Sequence, residues 1–258
     1  MTLLLEARNL GYGADGTRIV ADVDLAVAAG EMVAVIGPNG AGKSTLIGML
    51  SGDLRPSTGW TRLLGDELVD LDPLQMALRR AVVPQHVTAD IPFSVHTVVE
   101  MGRHPHQVTG TTSPDEDRAA VDAALATFDM ADRSRLPFSA LSSGEQRRTA
   151  LARAMAQDVP LLLLDEPAAA LDIGHQEQVM RVLREWKDAR RAVVAVLHDL
   201  NLAAAHADRI VVLHRGSVAA EGRPGDVLTT DLLEAVYRQP MRVVRHPTRD
   251  CPLLIVVD

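Results

Sequence analysis

A single cysteine, Cys251, among 258 residues leaves no internal disulfide and no multi-cysteine metal cluster, which fits a reducing cytoplasm. Dense runs of lysine and arginine are also missing, and the net charge is −8. General nucleic-acid binding needs a basic footprint, so that class is set aside and nucleotide is favoured over DNA. Long apolar runs are absent too. Segments such as 159–164 and 192–197 are strand-sized, far short of the roughly 20 residues a membrane span requires. Any membrane role is therefore expected to be peripheral. Residues 1–10 lack a basic start and carry Glu6 and Arg8 early, so they do not read as a secretory signal. No internal repeat, low-complexity linker or long heptad segment is seen.

What is present is an ordinary globular composition, 47% hydrophobic and 23% charged, which argues against disorder. The length suffices to bury a sizeable interior, in one large α/β domain or a core with a subdomain. Strand-like stretches near 3–7, 19–27 and 32–36 are separated by glycine-rich turns such as Gly11-Tyr12-Gly13. A block over roughly 91–157 reads as helical. In it, Ser113-Pro114-Asp115-Glu116 combines an N-cap, a proline at the first helical position and a glutamate at the third. Val121, Ala124, Leu125 and Phe128 then come at helical spacing. Alternation resumes with a strand at 161–164 and a helix bearing Val179, Val182, Leu183 and Trp186 on one face. Strands at 192–197 and 210–213 complete the pattern, with a small alanine-rich helix between them. This order predicts a mostly parallel sheet with a helical insertion.

Chemistry concentrates first in Gly37-Pro38-Asn39-Gly40-Ala41-Gly42-Lys43-Ser44-Thr45, set between an apolar strand and a helix with apolar Leu46, Ile47, Met49 and Leu50. Glycines let the backbone curl so that successive N–H groups point at one anion, and the helix N-terminus adds partial positive charge. The segment reads as a phosphate-binding loop, with Lys43 reaching the β- and γ-phosphates and the Ser44 hydroxyl on magnesium. A second element is the buried strand 161–164 that delivers Asp165 and Glu166 at its C-terminal end, the edge where parallel sheets place ligands. Asp165 is assigned to the metal and Glu166 to the attacking water. A third element, Leu141-Ser142-Ser143-Gly144-Glu145-Gln146, opens a helix that continues through Arg147, Leu151 and Met155. Ser142 and Glu145 form a capping box, and a capped helix start also attracts anions, so a structural and a phosphate-binding role stand side by side.

Taken together, these motifs resemble those of the ATP-binding-cassette (ABC) ATPases, in that family's order and over nearly the whole chain. Residues 37–45 are similar to the Walker A loop, Gln85 to the Q-loop glutamine, and 142–146 to the signature motif. Residues 161–166 are similar to Walker B, Ala170-Leu171-Asp172 to the D-loop, and His198 to the switch histidine. Tyr12 sits where the family places an aromatic ring under adenine, and packing or turn surface is its other reading. The resemblance implies an α/β P-loop NTPase (RecA-like) fold: a mostly parallel sheet core with an antiparallel β part, roughly 1–90 and 158–258, and a helical subdomain over 91–157. It implies ATP and Mg2+, with Gln85 sensing the magnesium and the water and His198 contacting the γ-phosphate. It further implies a head-to-tail homodimer in which Ser142, Ser143, Gly144 and Glu145 of one copy close over the nucleotide of the other, and Asp172 couples the two sites.

Two positions depart from the family. Ser143 stands where glycine is usual, keeping its N–H but losing backbone freedom, and Ala169 stands where the D-loop usually has a serine. Related ATPases serve DNA repair, translation and cofactor assembly, but this chain has no coiled-coil arm, second cassette or basic stripe. The resemblance therefore implies a transporter subunit held at the cytoplasmic face of the membrane by two transmembrane permease subunits, and served indirectly by a substrate-binding protein. Residues 197–204 and 101–106 resemble the importers of iron chelates, haem and cobalamin, and 246–252 resemble the haem-import ATPases. His104 and His106 are expected in an exposed, permease-facing segment, and His175, His206 and His214 at the surface or at helix ends. Cys251 is expected to be a small packed residue.

Overall fold

Short apolar runs bounded by turn residues become strands here, and the longer periodic segments become helices. The computed structural model describes residues 2–14, 16–86 and 92–257. In chain order, β1 (Leu3–Ala14), β2 (Thr17–Ala28), β3 (Met32–Ile36), α1 (Lys43–Ser51), β4 (Thr58–Leu63), β5 (Asp66–Glu67), α2 (Pro73–Ala77) and β6 (Arg80–Val83) come first. Next is a helical stretch with α3 (Val95–Glu100), α4 (His104–Thr109), α5 (Pro114–Thr127) and α6 (Ser143–Ala156). Then come β7 (Leu161–Asp165), α7 (Ile173–Trp186), β8 (Ala192–Val196), α8 (Leu200–His206), β9 (Arg209–His214) and β10 (Ser217–Gly222). The chain finishes with α9 (Pro224–Val227), α10 (Thr230–Tyr237), β11 (Met241–Arg245) and β12 (Pro252–Val256).

The central sheet has six strands in the order β10-β9-β3-β8-β7-β6, parallel except for the β9–β10 hairpin. Both of its faces are covered, and successive side chains of a strand point to opposite faces. Met32, Ala34 and Ile36 of β3 therefore join the core beneath the helices. Val33 and Val35 join the core shared with a four-stranded antiparallel sheet, β2-β1-β4-β5. Every residue of β3, β7 and β8 is buried, so these strands form a stiff platform. Their C-terminal ends point one way, so the loops leaving β3, β7 and β8 meet at one edge of the sheet.

In the helical stretch the expected cap on α5 forms: Ser113 accepts from Glu116 N and the Glu116 carboxylate accepts from Ser113 N. Val121, Ala124, Leu125 and Phe128 are all buried. A buried pair, Arg103 Nε to Asp117 Oδ1 at 2.9 Å, joins α5 to the chain before α4, while Arg103 also donates to Ala156 O at the end of α6. The expected boundary at 90/91 lies outside the described residues.

Several expectations need correction. Gly11-Tyr12-Gly13 is no turn; β1 runs through it, and a side chain at Gly11 would meet Thr58 Oγ1 of β4 at 2.4 Å. The 101–106 segment is helical rather than an exposed loop, and the His106 ring lies 2.7 Å from Gln157 O, whereas His104 is exposed. His206 ends α8 but is buried, 8% exposed, against Glu177. Residues 246–251 connect β11 to β12, and Asn201 of α8 pairs with Leu254 through both its amide atoms, pinning that hairpin to the body. Among the described residues no helix is long and apolar enough to cross a membrane.

Candidate functional site

At the C-terminal end of β3 the chain turns through the glycine loop into α1. Gly37 has φ +151°, and a side chain on it would stand 2.2 Å from Leu213 O of β9, so only glycine lets the loop lie this close to the sheet. Gly42 caps α1 with φ +97° and faces Ile19 O at 2.9 Å from where a Cβ would be. The Lys43 ammonium donates to Gly37 O at 2.8 Å and Pro38 O at 3.0 Å, curling the loop around its own charge. Burial holds that ammonium below its usual value, against the pull of Glu166 and Asp165.

The β7 strand ends in Asp165, 5% exposed, whose Oδ1 has no hydrogen-bond partner among the described residues. Burial raises its carboxyl above the ordinary value; the neighbouring Ser44 hydroxyl opposes this and the Glu166 charge adds to it. A buried carboxylate oxygen with no protein donor, close to a serine hydroxyl, suits a hard divalent cation that takes oxygen ligands. Glu166 comes next, in the left-handed region at φ +55°, its N–H donating to Val196 O of β8. On its Oε1 two groups converge: Gln85 Nε2 at 2.8 Å and His198 Nε2 at 2.6 Å. Gln85 arrives from the end of β6 and His198 from the end of β8, strands that flank β7.

A cleft of about 580 Å³ collects Asn39, Gly40, Gly42, Lys43, Ser44, Thr45, Gln85, Glu166 and His198. Ile19 of β2 lines it as well. The sequence gives no sign of this role for Ile19, since nothing marks one apolar strand residue as a wall. Ala41 is buried behind the loop, and Tyr12 is half-buried against the antiparallel sheet's core. Tyr12 does not line the cleft.

The signature segment stands elsewhere. Ser142 and Glu145 make the reciprocal capping box on α6, and the N–H and hydroxyl of Ser142 hold the Glu145 carboxyl below its ordinary value. Ser143 is the first residue of α6 and shows no positive φ, so serine is accommodated where glycine is usual. Gly144 packs against the D-loop, with a Cβ position 3.1 Å from Ala170 O, and Asp172 caps α7 by accepting from His175 N at 2.9 Å. Ser142, Ser143, Gly144, Glu145 and Asp172 therefore form a second group, none of which lines the cleft.

Arg147, one turn into α6, belongs to none of the sequence motifs, yet it is 6% exposed and donates to Pro84 O at 2.7 Å and to Gln85 O. The available signal is a charged residue on the apolar stripe of Ala150, Leu151 and Ala154.

Residues 20–169, more than half of the chain, match the ABC transporter family. The hemin import ATP-binding protein HmuV of Nocardia farcinica is 50% identical over 99% of this chain and 90% of its own length. The cobalamin import ATP-binding protein BtuD of Halobacterium salinarum is 42% identical over 95% of this chain and 61% of its own. An ABC transporter described as of metal-chelate type, solved in an inward-facing conformation, superposes with a TM-score of 0.82 at 26% identity, covering 100% of this chain and 98% of that one. With a glycine loop, paired strand-end carboxylates and these relatives, the chain belongs to the ABC transporter family.

Proposed function

We propose that this chain is the ATP-hydrolysing, energy-coupling subunit of a haem importer, working as a homodimer beneath two transmembrane permease subunits. The observation that carries the catalytic part is the meeting of Gln85 and His198 on one oxygen of Glu166. With Oε1 held, Oε2 has no partner among the described residues, and Glu166 lines the cleft, which supports a role as proton acceptor. Water attacks the γ-phosphorus of ATP, the bond to the β–γ bridging oxygen breaks, ADP leaves, and the water proton passes to Glu166. Lys43 and the loop N–H groups of 39–45 hold the phosphates, while His198 orients Glu166 and stands ready to contact the γ-phosphate.

The residues present fit magnesium: Ser44 and Asp165, with Gln85 at the edge, would hold it, and the partnerless Asp165 Oδ1 is the observation that supports this. When bound, the ion neutralises charge on the phosphates. The cleft lacks the signature group, which supports completion of each site by the partner subunit's Ser142, Ser143, Gly144 and Glu145. Asp172 heads α7 two residues after Ala170, whose carbonyl Gly144 packs against, which supports a coupling role. Tyr12 is proposed as the adenine platform, and residues 91–157 as the helical unit presented to the permease. Peripheral attachment at the cytoplasmic face is proposed from the likeness to the Nocardia import ATP-binding protein.

Haem as cargo is supported by the Nocardia relative and by the motif resemblance at 246–252. The halophile relative favours cobalamin as the second reading. The test is reconstitution with the cognate permease and substrate-binding protein, presenting haem, ferric siderophore and cobalamin in turn. ATP-dependent uptake of haem supports the proposal; uptake of cobalamin alone overturns the cargo, and uptake of none, without a stable permease complex, overturns the transport role.

A further inference from the structure

We propose that Tyr237, the last residue of α10, is a positioning residue for the phosphate loop, and that the C-terminal hairpin holds it in place. The inference rests on the reading of residues 37–45 as that loop. Tyr237 belongs to none of the sequence motifs and does not line the nucleotide cleft.

Gly37, where the chain leaves β3, is buried. Its carbonyl accepts from the Lys43 ammonium at 2.8 Å, and its Cα lies so close to Leu213 O that no side chain fits. Its N–H has no main-chain acceptor among the described residues, although buried amides are rarely left without a partner. The group that faces this N–H is the Tyr237 hydroxyl. Burial pushes the phenol up to about 12, and the Gly37 N–H pulls the other way. The hydroxyl is therefore neutral at physiological pH and offers its oxygen lone pairs to the amide. One residue separates Tyr237 from the ammonium: the hydroxyl holds the N–H of Gly37, and the carbonyl of Gly37 holds Lys43. Loss of the hydroxyl leaves a buried N–H without an acceptor, so the chain at Gly37 shifts toward water and carries the anchor of Lys43 with it.

The placement of Tyr237 comes from outside the loop. Its ring packs against the core beneath the helices, which also holds Ile36. Helix α10 starts at the Thr229 cap, buries Leu233 and Val236, and stops where Arg238 turns left-handed at φ +56°. Thr230, Glu234 and Tyr237 follow one another at i, i+4 and i+7, along one stripe of the helix. Strand β11 grips the first two: Val243 N donates to Thr230 Oγ1 at 3.3 Å, and Met241 N donates to Glu234 Oε1 at 3.0 Å. Strand β12 is pinned in turn by Asn201, whose amide accepts from Leu254 N at 2.7 Å and donates to Leu254 O at 3.1 Å. Asn201 lies in the first turn of α8, just after His198. The hairpin therefore bridges the segment that follows His198 to the loop that carries Lys43, and both of those residues line the cleft.

The test is Tyr237→Phe in the full chain, which keeps the ring and removes only the oxygen. In the nucleotide-free chain, hydrogen exchange at the Gly37 amide, followed by NMR on isotope-labelled protein, should be about ten-fold faster than in the parent, while the Ala34 amide inside β3 is unchanged. In steady-state hydrolysis the KM for ATP should rise about three- to ten-fold with kcat at saturation nearly unchanged, the mark of lost binding rather than lost chemistry. A lowered Tm with parent-like exchange at Gly37 and a parent-like KM makes Tyr237 a packing residue only and overturns the proposal. So does faster exchange with KM unchanged, which uncouples the amide from the loop's grip on nucleotide. Thr230→Val, at a residue that does not line the cleft, should move both readouts the same way by a smaller factor, and no movement overturns the hairpin's part. A parent chain that binds no ATP removes the phosphate-loop reading, whereas parent-like Gly37 exchange in Tyr237→Phe removes this inference alone.

Discussion

Arg147 holds Gln85 by its main chain: the guanidinium on α6 donates to the carbonyls of Pro84 and Gln85, at the point where β6 ends. The Gln85 side chain, thus positioned, reaches Glu166 at 2.8 Å. Helix α6 is thereby tied to Glu166 of its own chain, the carboxylate proposed as the base. Removing a buried, doubly donating guanidinium leaves two carbonyls without their partner and frees the loop that carries Gln85. Arg147→Ala is expected to lower kcat on the order of ten-fold, about 1.4 kcal/mol of barrier, with a smaller change in KM for ATP. Arg147→Lys should recover part of the loss, since one of the two contacts can be rebuilt. Steady-state ATPase assays of both variants decide this, and an equal rise in KM with unchanged kcat would contradict a positioning role.

Glu166 is held through one oxygen and open at the other, an arrangement suited to accepting a proton rather than to binding substrate. Glu166→Gln keeps the shape and both incoming contacts but removes the acceptor. Nucleotide affinity should stay near that of the parent chain, while turnover falls on the order of 10²–10⁴-fold. Equilibrium binding of ATP and single-turnover hydrolysis measure the two effects separately, and parent-like turnover would move the base elsewhere.

Much of this site is legible from sequence because its parts are local. A glycine loop after an apolar strand, two acids at a strand end and a Ser142–Glu145 cap are each written within a few residues. The parallel order of β3, β8, β7 and β6 then brings the loop and the two acids to one edge without further instruction, while the cap stays apart at the head of α6. What escapes is tertiary. The contact of Arg147 with Gln85 spans 62 positions, and that of His206 with Glu177 spans 29. Gly11-Tyr12-Gly13 looks like a turn because glycine is the usual turn residue, yet here glycine serves the close passage of β4. Nothing in the residues around Gly11 announces Thr58.

Asp165 pairs function with a stability cost. Its carboxyl is raised by burial above the unfolded value of 3.8, so between those two values the folded chain keeps a proton that the unfolded chain has released. Falling pH through that window favours the folded state, and above the window the ionised group bears its full burial cost. Asp165→Asn should therefore be more stable at neutral pH by about 1 kcal/mol, a Tm rise of roughly 2–4 °C, while magnesium-dependent hydrolysis is lost. The advantage should shrink as the pH is lowered into the ordinary carboxylate range. Thermal melts of both chains across pH, without nucleotide, provide the check; an advantage that grows on acidification would reverse the sign.

Gly37 and Gly40 both have positive φ, +151° and +77°, but their surroundings differ. A Cβ on Gly40 meets nothing within 4 Å, whereas one on Gly37 would strike Leu213 O at 2.2 Å. Gly40→Ala therefore meets backbone strain alone, about 1 kcal/mol, and the loop can keep its course. Gly37→Ala adds a collision with the main chain of β9, which cannot yield without disturbing its pairing with β3. The loss should be at least about 3 kcal/mol, and the loop amides should no longer converge on phosphate. Urea denaturation and ATP binding of the two variants give the comparison, and equal effects would refute it. The prediction turns on β9, a strand whose residues never enter the cleft. Its Leu213 carbonyl limits how near the phosphate loop can lie, and Gly216 beyond it ties back through its N–H to Ala41 O at 3.1 Å. The loop's shape is thus imposed from behind by the sheet as much as by its own glycines.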